Sequence, residues 1–144
     1  MSKTIQILLE MSTLLKNSPR IAVFCTDNGL NPVTVEFPAN EQSPIGEADA
    51  PWIVLDPESG SGGLGATETE SVIGLYVGVV GDPEAGTVLL DEFFTLVLDV
   101  LVKAGLDIDQ VECEFVLSDS APLRMVFSSI GISKSRSLGR DNII

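Results

Sequence analysis

The chain has 144 residues, 44% of them apolar and 20% charged, with a mean hydropathy of +0.33. That is enough apolar content for one domain to fold around its own core, and it excludes the composition of a disordered chain. Eight basic residues against 21 acidic ones give a net charge of −13, which argues against a protein whose affinity comes from gripping nucleic acid phosphates.

The charge is unevenly spread. Residues 1–20 carry Lys3, Lys16 and Arg20 against Glu10, and residues 21–120 carry 19 acids against Lys103. Residues 121–144 carry Arg124, Lys134, Arg136 and Arg140 against Asp141. An acidic body with basic ends suits either a head-to-tail contact between copies of the chain or a solvated acidic surface with incidental basic termini.

In chain order, Ile5, Leu8, Leu9 and Leu15, with the neighbouring Met11 and Leu14, recur at helical spacing. Ser2 is placed to cap this helix and Asn17-Ser18-Pro19 to stop it. The run from Ile21 to Thr26 reads as a strand and Asp27-Asn28-Gly29 as a turn. Val33 to Phe37 reads as a second strand, so the three together predict a hairpin. Residues 38–50 form a polar loop, and Pro51 to Leu55 a short apolar strand ended by Asp56-Pro57. Residues 57–70 hold four of the 13 glycines and three glutamates and are expected to be a long flexible loop.

Val72 to Val80 is the most strand-like run, followed by a turn over Gly81 to Gly86. Leu90, Phe93, Phe94, Val97, Leu98 and Leu101 lie on one stripe of a core helix, with Lys103 and Gly105 at its end. Val111, Cys113, Phe115 and Leu117 alternate with Glu112 and Glu114, the pattern of a half-buried strand, so Cys113 and Phe115 are expected in the core. Arg124 to Ile132 makes the last strand. The expected organisation is one α+β domain over residues 1–133, a mostly antiparallel or mixed sheet packed against two helices. A basic tail, disordered until bound, follows over residues 134–144.

Histidine is absent, which removes every Ser-His, Cys-His and His-metal arrangement, and no serine has a recognisable activator. Gly60-Ser61-Gly62-Gly63-Leu64-Gly65 matches the dinucleotide-binding pattern in letters but precedes a β-rich run rather than a helix and is flanked by glutamates, so it reads as a flexible linker in preference to a phosphate site. Asp107, Asp109, Glu112 and Glu114 fall within eight residues. They read as a helix exit and the wet face of a strand, with a weak divalent-cation contact between subunits as the other reading. Cys25 and Cys113 lie in apolar surroundings and are expected as buried thiols, Trp52 and Tyr76 as core. With no signal-peptide pattern and no stretch long enough for a membrane span, the expectation is a protein of a reducing cytoplasm, without cofactor, resident metal or membrane contact.

The order of elements, the Pro51-Trp52-Ile53-Val54-Leu55 strand before a long loop, and the helix from Leu90 to Ala104 resemble the tail-terminator and tail-completion (neck) proteins of long-tailed bacteriophages. The resemblance covers residues 4–133. It implies a non-enzymatic structural protein of the virion neck, assembled in the host cytoplasm as a ring, typically of six copies. Such a ring caps the tail tube, joins it to the head-completion or connector proteins, and lets DNA pass without gripping it. The interface residues expected on this view are Gly60, Gly62, Leu64, Glu68 and Glu70 in the loop, with Lys134, Arg136 and Arg140 in the tail. A different class with similar size and charge is the small acidic dimeric chaperone, or another module that binds an unfolded segment on an exposed apolar strand or helix.

Overall fold

A computed structural model of the chain describes residues 3–37, 50–60, 71–117 and 122–134. Helix α1 (Lys3–Lys16) buries Ile7, Leu8, Met11 and Leu15 along one stripe, while Leu9 turns outward and is 43% exposed. Asn17-Ser18-Pro19 ends α1 as expected, but it also begins a second helix, α2 (Pro19–Asp27), where the sequence suggested a strand. Local chemistry explains the difference. Ser18 Oγ accepts a hydrogen bond from the Ile21 N–H at 3.3 Å, and Pro19 takes the first helical position, where its preset φ helps and its missing N–H costs nothing. This N-terminal signal overrides the β-rich composition of residues 21–26 and puts Ile21 and Cys25 on the buried side. Gly29, at φ +67°, then reverses the chain.

Strand β1 (Thr34–Glu36) consequently has no hairpin partner before it. It pairs in parallel with β2 (Trp52–Gly60), Thr34 opposite Trp52 and Glu36 opposite Val54. The expected end of β2 at Asp56-Pro57 is only a break in register between Pro57 and Ser59, because an irregularity absorbs a proline that cannot donate to the ladder. Residues 57–60 therefore belong to the strand, and the rest of the expected loops, residues 38–49 and 61–70, lies outside the described residues.

Strand β3 (Ser71–Val80) runs antiparallel to β2 and leads directly into α3 (Pro83–Lys103). The expected turn at Gly81 to Gly86 shrinks to Gly81-Asp82, since Asp82 caps the helix through the Ala85 N–H at 2.8 Å and Pro83 opens it. Strands β4 (Asp107–Val116) and β5 (Leu123–Lys134) complete a five-stranded mixed sheet of order β1-β2-β3-β5-β4. The chain is thus an α+β domain, with three helices among the described residues where two were expected.

The helices lie on one face of the sheet, α1 against β1, β2 and β3, and α3 against β3 and β5. Ile53, Leu55, Ile73, Leu75, Val77, Val79, Val126 and Ile130 face them, and Phe24 stacks on Phe93 with centroids 5.5 Å apart. Between α2 and α3, Asp99 Oδ2 takes a hydrogen bond from Arg20 Nη2 at 2.8 Å and meets Lys103 Nζ at 3.3 Å. The Arg20 hydrogen bond is the main reason the Asp99 carboxyl sits below the usual carboxylate range. A carboxyl depressed on folding adds stability that is present above its unfolded pKa, about 4, and lost as pH falls through the folded value. Asp99→Asn is therefore expected to melt below the wild type at neutral pH, the two melting temperatures converging in acid. Thermal unfolding followed by circular dichroism across pH checks this.

The helix layer is narrower than the sheet. Strand β4 stands beyond it, and every residue from Asp109 to Phe115 is exposed. Cys113 and Phe115, expected in the core, are therefore on the surface, with Phe115 39% exposed. Cys25 is buried in α2, and burial pushes its thiol up, against a smaller lowering from a backbone hydrogen bond at Val33. A thiol reagent is expected to label Cys113 in the native protein and Cys25 only after unfolding. Equal native rates at both would contradict this placement.

Candidate functional site

Alternation along the strands gives the sheet a second face, away from the helices. Register places Trp52 beside Gly78, Val54 beside Tyr76, Tyr76 beside Phe127, and Phe127 beside Glu114. The Trp52 indole fills the space a Cβ on Gly78 would take and is fully buried, as the sequence suggested. Tyr76 is not in the core. Its ring lies across Gly74 on the second face and meets Phe127 edge-on, with centroids 5.3 Å apart at 65°.

These two rings floor a shallow depression of about 560 Å³ whose rim carries Glu58, Glu112, Glu114 and Ser129. Burial raises the Tyr76 phenol, and the negative charges of Glu58 and Asp56 raise it further, so the hydroxyl stays protonated at neutral pH. Gln110 Nε2 donates to Glu112 Oε1 at 2.9 Å, which orients one of the rim carboxylates. The chemistry on offer is recognition: carboxylates beside open aromatic faces suit an arginine or lysine side chain. Among the described residues no group of His, Cys, Asp or Glu side chains could hold a metal ion. The carboxylates of residues 107–114 are spread along β4 instead, Asp107 opening the strand rather than lying in a turn before it.

Of the residues expected at an interface, the structure brings two to one end of the sheet. Gly60 closes β2 opposite Ser71, Ser71 lies opposite Ile132, and Lys134 closes β5 two residues later, opposite Asp107. Gly62, Leu64, Glu68, Glu70, Arg136 and Arg140 lie outside the described residues. Arg124, counted with the basic end of the chain, is buried in β5, where its Nε donates to the Gly81 carbonyl at 3.4 Å. The positive charge near the C-terminus thus belongs to Lys134, Arg136 and Arg140.

The aromatic pair escaped sequence reasoning, although a signal for it exists. Gly74, Tyr76 and Gly78 occupy successive positions on one face, and glycine two residues away on either side leaves room for a ring to lie flat. Among the described residues no helix is long and apolar enough to cross a membrane. No protein-family model matches the chain, and no curated protein matches it either.

Proposed function

We propose that this chain is a non-enzymatic structural subunit of a long-tailed bacteriophage, a tail-terminator or tail-completion protein. On this reading it assembles in the host cytoplasm into a ring of six, closes the tail tube at the virion neck and joins it to the head-completion or connector proteins. The observation that carries the proposal is the exposed edge of the sheet. Among the described residues the helices lie on one face, Trp52 and Val54 are buried on the other, and the long edge strand β4 is left exposed. Such an arrangement leaves surface for neighbouring subunits, and it agrees with the α/β sandwich that the sequence resemblance implies. The acidic charge also suits a channel through which DNA passes, since no counterions are released to hold the phosphates.

The test is the native mass of the purified chain across concentrations, with and without millimolar Mg²⁺ and with isolated tail tubes. A sixfold mass, free or on tube ends, supports the reading. A stable dimer that ignores tubes overturns it in favour of a chaperone, a reading that draws on the exposed Val111, Phe115 and Leu117 of β4 and the residue after it.

A further inference from the structure

We propose that the outer edge of β4 is the docking site for residues 135–144 of a second copy of this chain, which add to the sheet as a further strand. The inference rests on the self-assembly in the reading above and names the surfaces that meet. Among the described residues β4 has β5 on one side and no strand on the other. Its register is irregular near Asp107 and Ile108 but regular from Gln110 to Val116, a straight run whose outward backbone groups are available for pairing.

The side chains of that run set the partner's chemistry. Glu112 and Glu114 lie on the face that carries the Tyr76 and Phe127 rings, and Val111, Cys113 and Phe115 lie on the other, exposed beside the helix layer. A second β4 is a poor partner, because pairing two such edges brings carboxylates together. A basic strand is a good one. The chain supplies it in residues 135–144, where Arg136 and Arg140, four residues apart, share one face of an extended strand, with Asp141 the single acid. On the face of Glu112 and Glu114 these guanidinium groups meet carboxylates.

Geometry favours a neighbour's segment over the chain's own. Lys134 leaves the sheet on β5, opposite Asp107 at the start of β4. To reach the outer edge in the same molecule, the segment must first pass around β4, at about 5 Å per strand spacing, which consumes residues before pairing begins. A neighbour's segment has no such turn to make around its own β4, and ten extended residues span about 33 Å, more than the seven from Gln110 to Val116. Since every copy offers one edge and one segment, the contact is heterologous and propagates from copy to copy.

The experiment uses two full-length variants whose changes are at charged positions. One reverses the segment, Arg136→Glu with Arg140→Glu; the other reverses the edge, Glu112→Lys with Glu114→Lys. Circular dichroism verifies that both fold. In sedimentation equilibrium at low salt the wild type is expected to self-associate, more weakly as salt rises, and each variant alone to associate at least about tenfold more weakly. Mixing the two restores association, because each segment then meets an edge of opposite charge. A wild type monomeric at all concentrations, variants that associate like the wild type, or a mixture that stays monomeric, as occupancy by the chain's own segment predicts, would each overturn the inference. Self-association through these charges by a chain that never joins tail tubes would leave the inference standing and remove the phage reading. Tube capping that survives both reversals would do the opposite.

Discussion

Phe93→Ala is expected to lower the stability of the chain by about 3–5 kcal/mol, read as a fall in the denaturant midpoint at unchanged slope. Phe93 is fully buried in α3, stacked on Phe24 of α2, so its removal opens a cavity where α2 and α3 meet. The neighbours are held by backbone that cannot close the gap. Ser18 caps α2 and Asp82 caps α3, and the Arg20–Asp99 bridge fixes the spacing between the two helices. Phe115→Ala is the matched control. The two phenylalanines carry equal apolar weight in the sequence, but Phe115 stands on β4 outside the helix layer, and its replacement is expected to change stability by only about 1 kcal/mol. At concentrations where the chain is monomeric, similar losses at both sites would mean that Phe115 is packed as Phe93 is.

That contrast shows what was legible in the sequence and what was not. Elements whose local signal and tertiary environment agree were readable: the stripe of α1, the apolar run of β3, the core face of α3. Where a capping signal competed with composition, composition misled. Ile21 to Thr26 has the residues of a strand, and the single hydroxyl of Ser18 followed by Pro19 makes it a helix. Strand β4 failed differently. Its alternation marks two unlike faces, but which face is covered depends on the width of a helix layer built from distant residues. The candidate site was partly readable for the same reason. The acids of β4 and the basic C-terminal segment are visible as composition, whereas the pairing of Tyr76 with Phe127 exists only through the register of β3 with β5.

Gly86→Ala is expected to destabilise the chain by about 1–3 kcal/mol, against the usual sign of the change. Inside a helix, alanine is ordinarily better than glycine by about 1 kcal/mol, and Gly86 lies in the interior of α3 with a backbone any residue can adopt. The difference is a close approach. A Cβ on Gly86 would lie 2.7 Å from the carbonyl carbon of Gly81 and 2.8 Å from its Cα, and a Cβ on Gly81 would lie 2.6 Å from the Cα of Gly86. These are backbone atoms, so no rotamer change relieves the clash. Gly81 cannot retreat cheaply either, because its N–H donates to the Pro122 carbonyl at 3.0 Å and its own carbonyl accepts from the buried Arg124. The start of α3 is held as firmly by the Asp82 cap. Val88→Ala, two residues further along the same helix at a 55% exposed position, serves as the control and is expected to be neutral or slightly stabilising. The Gly86→Ala midpoint therefore falls while that of Val88→Ala holds or rises, if the Gly81-Asp82 turn and the first turn of α3 meet through bare backbone. A Gly86→Ala chain more stable than the wild type would show that they stand further apart.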